Sequence, residues 1–403
     1  MKYEKNPPAR EISTLKELEE LAGDLKGQTR VSVDMESDSF YAYHEKVCLL
    51  QLSVPKEDIV IDPLAIKDIS PLGPMFRDPD VEKVFHAGEY DIVCLKRDYG
   101  FVIRNVFDTM VAARTLGSSR LGLAHLIEEN FGVKLSKKLQ RANWGKRPLS
   151  PEHIEYARND TRYLIPLRKI LTEHLEAKGL LRDAVDEFRR LEKLQPVTRQ
   201  FDPNAFWHLR GARDLTPQKR AVLKRISMFR EKTAAELDRA PFRVLPEELM
   251  VRLAQSCHET QEALRGLKGM TPYLFRRFGK ELLAEIAKGL GSPPIEEPPK
   301  RVNRNQWDTP TMRRYEALRQ WRKAVAEKRG VNPVVVLPTD EVRLLAEAPS
   351  HQKDAKDWLN CISEYKREQY GEEILAILKQ PKPERKKKRR SRKSRTQRPE
   401  QKA

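Results

Sequence analysis

A chain of 403 residues has room for roughly two to four domains of ordinary size, and 34% charged with only 7% aromatic residues exclude a membrane protein. The formal charge of +18 points to a polyanionic partner. That charge is uneven: residues 381–403 hold twelve Lys and Arg against two Glu, so more than half of the excess sits in this last stretch.

The N-terminus, Met-Lys-Tyr-Glu-Lys-Asn-Pro-Pro, has no apolar core for a signal peptide. Cys48, Cys94, Cys257 and Cys361 are scattered, without metal-ligand spacing, which fits free thiols in a reducing compartment. These features give a cytoplasmic protein without a membrane segment as the expectation.

Residues 12–25 place Ile12, Leu15, Leu18, Leu21 and Leu25 at helical spacing, with Ser13 and Thr14 as caps. Next comes Val-Ser-Val-Asp-Met-Glu at 31–36, which reads as a strand. Its period of two puts Asp34 and Glu36 on one face and Val33 and Met35 on the other. Two carboxylates side by side repel unless a cation sits between them or the strand end is open to water. Strands at 47–54 and 58–61, joined by a Pro-Lys-Glu turn, complete an antiparallel meander.

From residue 81 strands and helices alternate: a strand at 84–86, a helix at 90–99, a strand at 101–107 and helices at 108–116, 121–131 and 151–174. The expected fold is a mixed sheet with flanking helices and a site at its early strand ends. Ala87 and Gly88 allow a sharp turn that can aim Asp91 back toward Asp34 and Glu36, although a helix-start acid needs no such role. Ser150 and Pro151 open the last helix, and Tyr156 and Asp160 follow at i and i+4 on one face. Four carboxylates on three segments suit two divalent cations, and hard ions such as Mg²⁺ or Mn²⁺ prefer carboxylate oxygen. His86 reads as a packed residue and Asp108 as a helix cap.

DMESDS at 34–39, HAGEYD at 86–91 and YARND at 156–160 resemble the three exonuclease motifs of the tyrosine-containing branch of the DEDD superfamily. The chain as a whole, with QRANWGKRPLS at 140–150, resembles the bacterial ribonuclease D family. Asn143 stands where members of that family often have Asp. The resemblance implies an α/β RNase H-like exonuclease fold. It also implies hydrolysis of RNA from the 3′ end to nucleoside 5′-monophosphates, with tRNA precursors or other structured RNAs as partners. It assigns Asp34, Glu36, Asp91 and Asp160 as ligands of the two ions and Tyr156 as the group that orients the attacking water. The same acids would serve a DNA exonuclease, and an inactive nuclease fold that only binds RNA is a third reading.

The second half is a helical repeat. At a constant offset of 92, Phe229-Arg230 aligns with Trp321-Arg322, Leu245-Pro246 with Leu337-Pro338, and Phe278-Gly279 with Tyr370-Gly371. Each copy resembles an HRDC domain, an auxiliary nucleic-acid binder by family. Arg213, Lys219, Arg220, Lys224, Arg225, Arg276 and Arg277 are candidates for phosphate contact or for a merely solvated face. Trp207, Trp307 and Trp321 read as core. The expected division is an exonuclease domain at 1–195, a connector at 196–211, helical domains at 212–290 and 308–380, a Pro-rich linker at 291–307 and a disordered basic tail at 381–403. Nothing calls for an obligate protein partner, so a monomer is expected.

Overall fold

The computed structural model describes residues 7–196, 201–296, 307–351, 354–355 and 357–379. The basic tail at 381–403 and residues 297–306 of the Pro-rich linker lie outside the described residues. No described helix is long and apolar enough to cross a membrane. The chain divides into two compact units, residues 1–306 with 325–336 and residues 307–324 with 337–403.

The first unit is built on one sheet. The three strands β2 (Arg30–Ser37), β3 (Val47–Val54) and β4 (Glu57–Ile61) form the expected antiparallel meander, with Asp34 opposite Gln51 and Glu36 opposite Leu49. Beyond β4 the sheet gains β1 (Arg10–Ile12), and beyond β2 it gains β5 (Glu82–Phe85) and β6 (Val106–Asp108). All three run parallel to their neighbours, giving the order β1-β4-β3-β2-β5-β6.

Val31, Val33 and Met35 are buried in one apolar cluster with Leu18 and Leu21 of α1 (Leu15–Asp24) and Leu95, a residue of the helix after β5. Single helical turns α2 (Pro63–Ile66) and α3 (Gly73–Arg77) connect β4 to β5. The helices α4 (Glu89–Tyr99), α5 (Thr109–Thr115), α6 (Leu123–Phe131), α7 (Pro151–Thr161), α8 (Leu164–Ala177) and α9 (Leu181–Glu192) complete the layers.

Three expectations change. Ile12 belongs to β1, where it is buried against the sheet, and α1 starts only after Thr14, whose hydroxyl caps it in a capping box with Glu17. Residues 101–105 are irregular, so β6 is three residues long; Phe101 and Ile103 are still buried, but packing does not make a ladder. The single helix expected over 151–174 is two, α7 and α8, broken at Arg162–Tyr163. Pro166 has no N–H to give and would crowd the carbonyl four residues earlier, and it sits in the first turn of α8, where neither matters.

The first helical domain contains α10 (Pro217–Glu236), α11 (Pro241–Val244), α12 (Glu247–Ser256), α13 (Gln261–Arg265) and α14 (Pro272–Leu290). Its core includes Trp207, Ile226, Leu253 and Ile286. Gly289 lets α14 lie against α10, since a Cβ there would sit 2.5 Å from the Val222 Cα. The loop after β2 docks on this domain. Asp238 accepts from the backbone N–H groups of Tyr43 at 3.1 Å and His44 at 2.9 Å, and the Tyr43 hydroxyl donates to Glu231 at 2.9 Å. The Arg243 guanidinium lies 3.8 Å from the centre of the Tyr41 ring.

The repeat continues in α15 (Thr309–Arg329), α16 (Pro333–Val336), α17 (Thr339–His351) and α18 (Glu364–Leu378), which begin 92 residues after α10, α11, α12 and α14. Lys366 and Glu341 form a buried ion pair at 3.2 Å within the second unit. Trp307 and Trp321 are partly buried, and their Nε1 atoms donate to Glu347 and Glu373. Neither indole is laid open as a stacking surface.

Candidate active site

Two of the three segments singled out in the sequence, β2 and α7, bring their carboxylates together. Ligand oxygens of Asp34, Glu36 and Asp160 lie within 4.8 Å of one another. Asp34 and Glu36 share a face because β2 alternates, and Met35 between them is buried on the opposite side. Asp160 arrives on α7, which is pinned to the sheet by a buried Arg158–Asp58 ion pair at 3.1 Å and a 2.7 Å Ser53–Thr161 hydroxyl bond. Both anchors flank Asp160 in sequence, so its position is fixed from either side.

Asp91 lies outside this tight triplet but belongs to the same electrostatic cluster. It feels the charge of Asp34 and a weaker, opposite influence of the Met35 backbone N–H, between the two β2 acids. The turn that delivers it is made at the Ala87-Gly88 pair. Ala87, not Gly88, takes the left-handed conformation, at φ 57. Gly88 is required for space instead, because a Cβ there would lie 2.6 Å from the Phe85 Cβ. Gly88→Ala is therefore expected to cost about 1 to 3 kcal/mol of stability and to displace Asp91, measurable by chemical denaturation alongside nuclease rate.

Asp108 caps α5 through the Val111 N–H at 2.9 Å and also accepts from the Gly88 N–H at 2.8 Å. One carboxylate thus ties β6 to the turn before Asp91. His86 is held by Thr109 at 2.9 Å, and because the Thr109 hydroxyl donates to the Phe85 carbonyl, the imidazole Nδ1 carries the proton and donates. Burial lowers its pKa, so it is a neutral, packed ring.

Burial and mutual repulsion make the four acids hard to ionise. Burial lifts Asp34 to about 7, and burial followed by the charges of Asp34, Asp160 and Asp91 lifts Glu36 to about 10. Asp91 and Asp160 rise well above the carboxylate range, first through burial and then through Asp34. Among the described residues, no Lys or Arg is a main influence on any of the four. Tyr156 belongs to the same cluster: burial, then Asp160, Glu36 and Asp34, hold its phenol in the protonated form.

Several supports left no local trace in the sequence. Arg147 donates to Asp62 at 2.6 and 2.8 Å, to the Cys48 carbonyl at 2.7 Å and to the Trp144 carbonyl at 2.7 Å, clamping the loop before α7. Trp144, 1% exposed, then packs 5.8 Å from the Tyr156 ring. Tyr90 bridges Glu45 and Ser37. Gln51, opposite Asp34 and fully buried, has neither amide atom partnered among the described residues. An orphaned amide beside a cation-free set of carboxylates fits a hydrated hard divalent ion.

The family described as 3′-5′ exonuclease matches residues 9–176, and the HRDC domain family matches residues 219–286 and 312–378. The chain is 27% identical over 369 residues to a protein named Ribonuclease D from Gluconacetobacter diazotrophicus, covering 91% of this chain and 92% of that one. The crystal structure of Escherichia coli RNase D, described as an exoribonuclease involved in structured RNA processing, superposes with a TM-score of 0.63 at 26% identity over 92% of this chain and 99% of that one. This agreement runs from the exonuclease domain through both helical copies. The chain is similar to ribonuclease D along most of its length. Exosome complex exonuclease RRP6 of Saccharomyces cerevisiae is 31% identical over 257 residues, 60% of this chain and 35% of that protein. The chain spans about a third of the length of the first curated relatives it matches.

Within the ribonuclease D architecture, the basic residues of the first HRDC domain divide into two groups. Arg225 pairs with Glu285 at 2.7 Å, Arg220 donates to the Arg213 carbonyl, and Lys219 donates to the Gln255 carbonyl. Arg213, Arg276 and Arg277 have exposed side chains, and Lys224 is half-buried.

Proposed function

We propose that this chain is a metal-dependent 3′-5′ exoribonuclease that removes nucleoside 5′-monophosphates one at a time, in tRNA 3′ maturation or the processing of other structured RNAs. The observation that carries the reading is the convergence of Asp34, Glu36 and Asp160 within 4.8 Å on a ribonuclease D fold, with Asp91 and Tyr156 in the same electrostatic cluster. Asp34, Glu36, Asp91 and Asp160 would hold two divalent cations, Mg²⁺ or Mn²⁺. When bound, such ions activate water and stabilise charge on the leaving oxygen of a phosphodiester.

The protein's own part is positioning. Without cations the four acids offer a phosphate no positive charge, and they repel it as they ionise, so the cluster admits the scissile group only once cations balance it. Tyr156, protonated and backed by Trp144, keeps a hydroxyl available to hold the attacking water. Tyr156→Phe is expected to lower kcat roughly 10- to 100-fold, the worth of one hydrogen bond to a charged group, with KM little changed in steady-state assays.

The choice of RNA over DNA rests on the relatives' names, since no group in the site is assigned to a 2′-hydroxyl. The division into an exonuclease domain at 1–195 and helical domains at 212–290 and 308–380, a monomeric state and a cytoplasmic location complete the proposal. The test incubates the full chain with a 3′-extended tRNA and its DNA analogue, with Mg²⁺ or Mn²⁺, and sizes the products. Mononucleotides released stepwise from RNA are expected. A clear preference for DNA, or internal cuts, would overturn the reading.

A further inference from the structure

A second cavity, of about 510 Å³, opens at the far end of β2 from the acid cluster. Arg30, Lys56, Arg162, Arg168 and Lys169 line it, and no acidic side chain does. Its remaining wall is mostly apolar, from Val54 and Pro55 of the β3–β4 turn and Ile165 and Pro166 of α8. Arg30 lies on the same face of β2 as Asp34 and Glu36, and at the usual strand rise it is about 20 Å from Glu36.

The cations are not equivalent. Arg30 and Arg168 share the single carboxylate of Glu82, at 3.1 and 2.8 Å, and Arg162 lies 3.9 Å from Asp58. Lys56 and Lys169 are exposed, and neither is engaged by a hydrogen bond or ion pair among the described residues. Lys56 moreover holds φ 75, a backbone conformation that glycine adopts more readily. Two exposed ammonium groups that share a cavity with paired guanidinium groups, prolines and an isoleucine match a ligand with an anionic end and a flat apolar body.

We propose that this cavity is a nucleotide-binding site separate from the hydrolytic centre. Lys56 and Lys169 take the phosphate, and the base and ribose lie against Pro55, Ile165 and Pro166. The phosphorylated nucleoside is either a free mononucleotide or a residue within a bound RNA strand. The inference does not depend on the proposed hydrolysis and stands even if the acid cluster does no chemistry.

The full chain is titrated calorimetrically with AMP, and separately with adenosine, in EDTA, where the acid cluster has no cation with which to hold a phosphate. AMP binding, absence of comparable adenosine binding, and about a tenfold or greater weakening in Lys56→Glu/Lys169→Glu are expected. Both side chains point to solvent, and an unchanged thermal melt of the variant confirms its fold; a Lys169→Ala protein with an intermediate affinity provides a second reading. A labelled RNA strand then distinguishes the sources. RNA displaced by AMP and weakened by the same variant places the strand in the cavity, whereas unaffected RNA leaves a free mononucleotide as the ligand. No AMP binding, or equal binding by the wild type and the double variant, would overturn the proposal.

Discussion

Asp34→Asn is expected to abolish exonuclease turnover, with kcat falling by about three orders of magnitude or more, while RNA binding in EDTA stays intact or tightens. The loss follows from the geometry: Asp34 shares a 4.8 Å cluster with Glu36 and Asp160 and is the neighbour whose charge acts on Glu36, Asp91 and Asp160 alike. An amide of the same shape keeps one oxygen but removes the charge that offsets a divalent ion, and such an ion contributes several kcal/mol to the transition state. Binding follows the opposite rule, because one fewer negative charge lessens repulsion of the phosphate backbone. Single-turnover rates with labelled RNA and a filter-binding titration separate the two effects. Full turnover by the variant would remove the acid cluster from the chemistry.

Much of this site was legible because its residues obey short-range periodicities. Alternation along β2 put Asp34 and Glu36 on one face, and Ser150 with Pro151 marked the start of α7, so Tyr156 and Asp160 fell on one face in turn. The helical repeat was legible for a different reason: a constant offset needs no structural insight, and four helix starts keep it. What escaped was either too short to have a period or set by distant partners. β1 has three residues and exists because it pairs with β4. Arg147 reaches Asp62 and Cys48, and Tyr43 reaches Glu231, far away in the chain, so no local pattern announced either contact. Pro166 is different; the break between α7 and α8 was written in the sequence, and the apolar spacing on both sides hid it.

Metal-free protein is expected to lose stability as pH rises, and added Mn²⁺ or Mg²⁺ to restore it by an amount that grows with pH. In the unfolded chain the acids ionise near pH 4, whereas in the fold Asp34 is lifted to about 7 and Glu36 to about 10. The folded state therefore holds more protons than the unfolded one between these values. With pKa raised by folding, the favourable contribution is fully present below the unfolded value and is lost as pH climbs through the folded values. The loss begins near pH 4, is well advanced at 7 and continues toward 10, and it is of the order of several kcal/mol. A divalent cation binds the ionised carboxylates and must displace their protons, so its affinity rises over the same span and its stabilisation of the fold rises with it. Thermal melts in EDTA and in Mn²⁺ at pH 5.5, 7 and 8.5, read by circular dichroism, measure the gap directly. Asp34→Asn is expected to narrow that gap and to melt higher than wild type in EDTA at the upper pH, since it removes one charge that the buried cluster otherwise has to accommodate. A gap that is constant with pH, or that closes as pH rises, would mean that the four carboxylates do not share an ion.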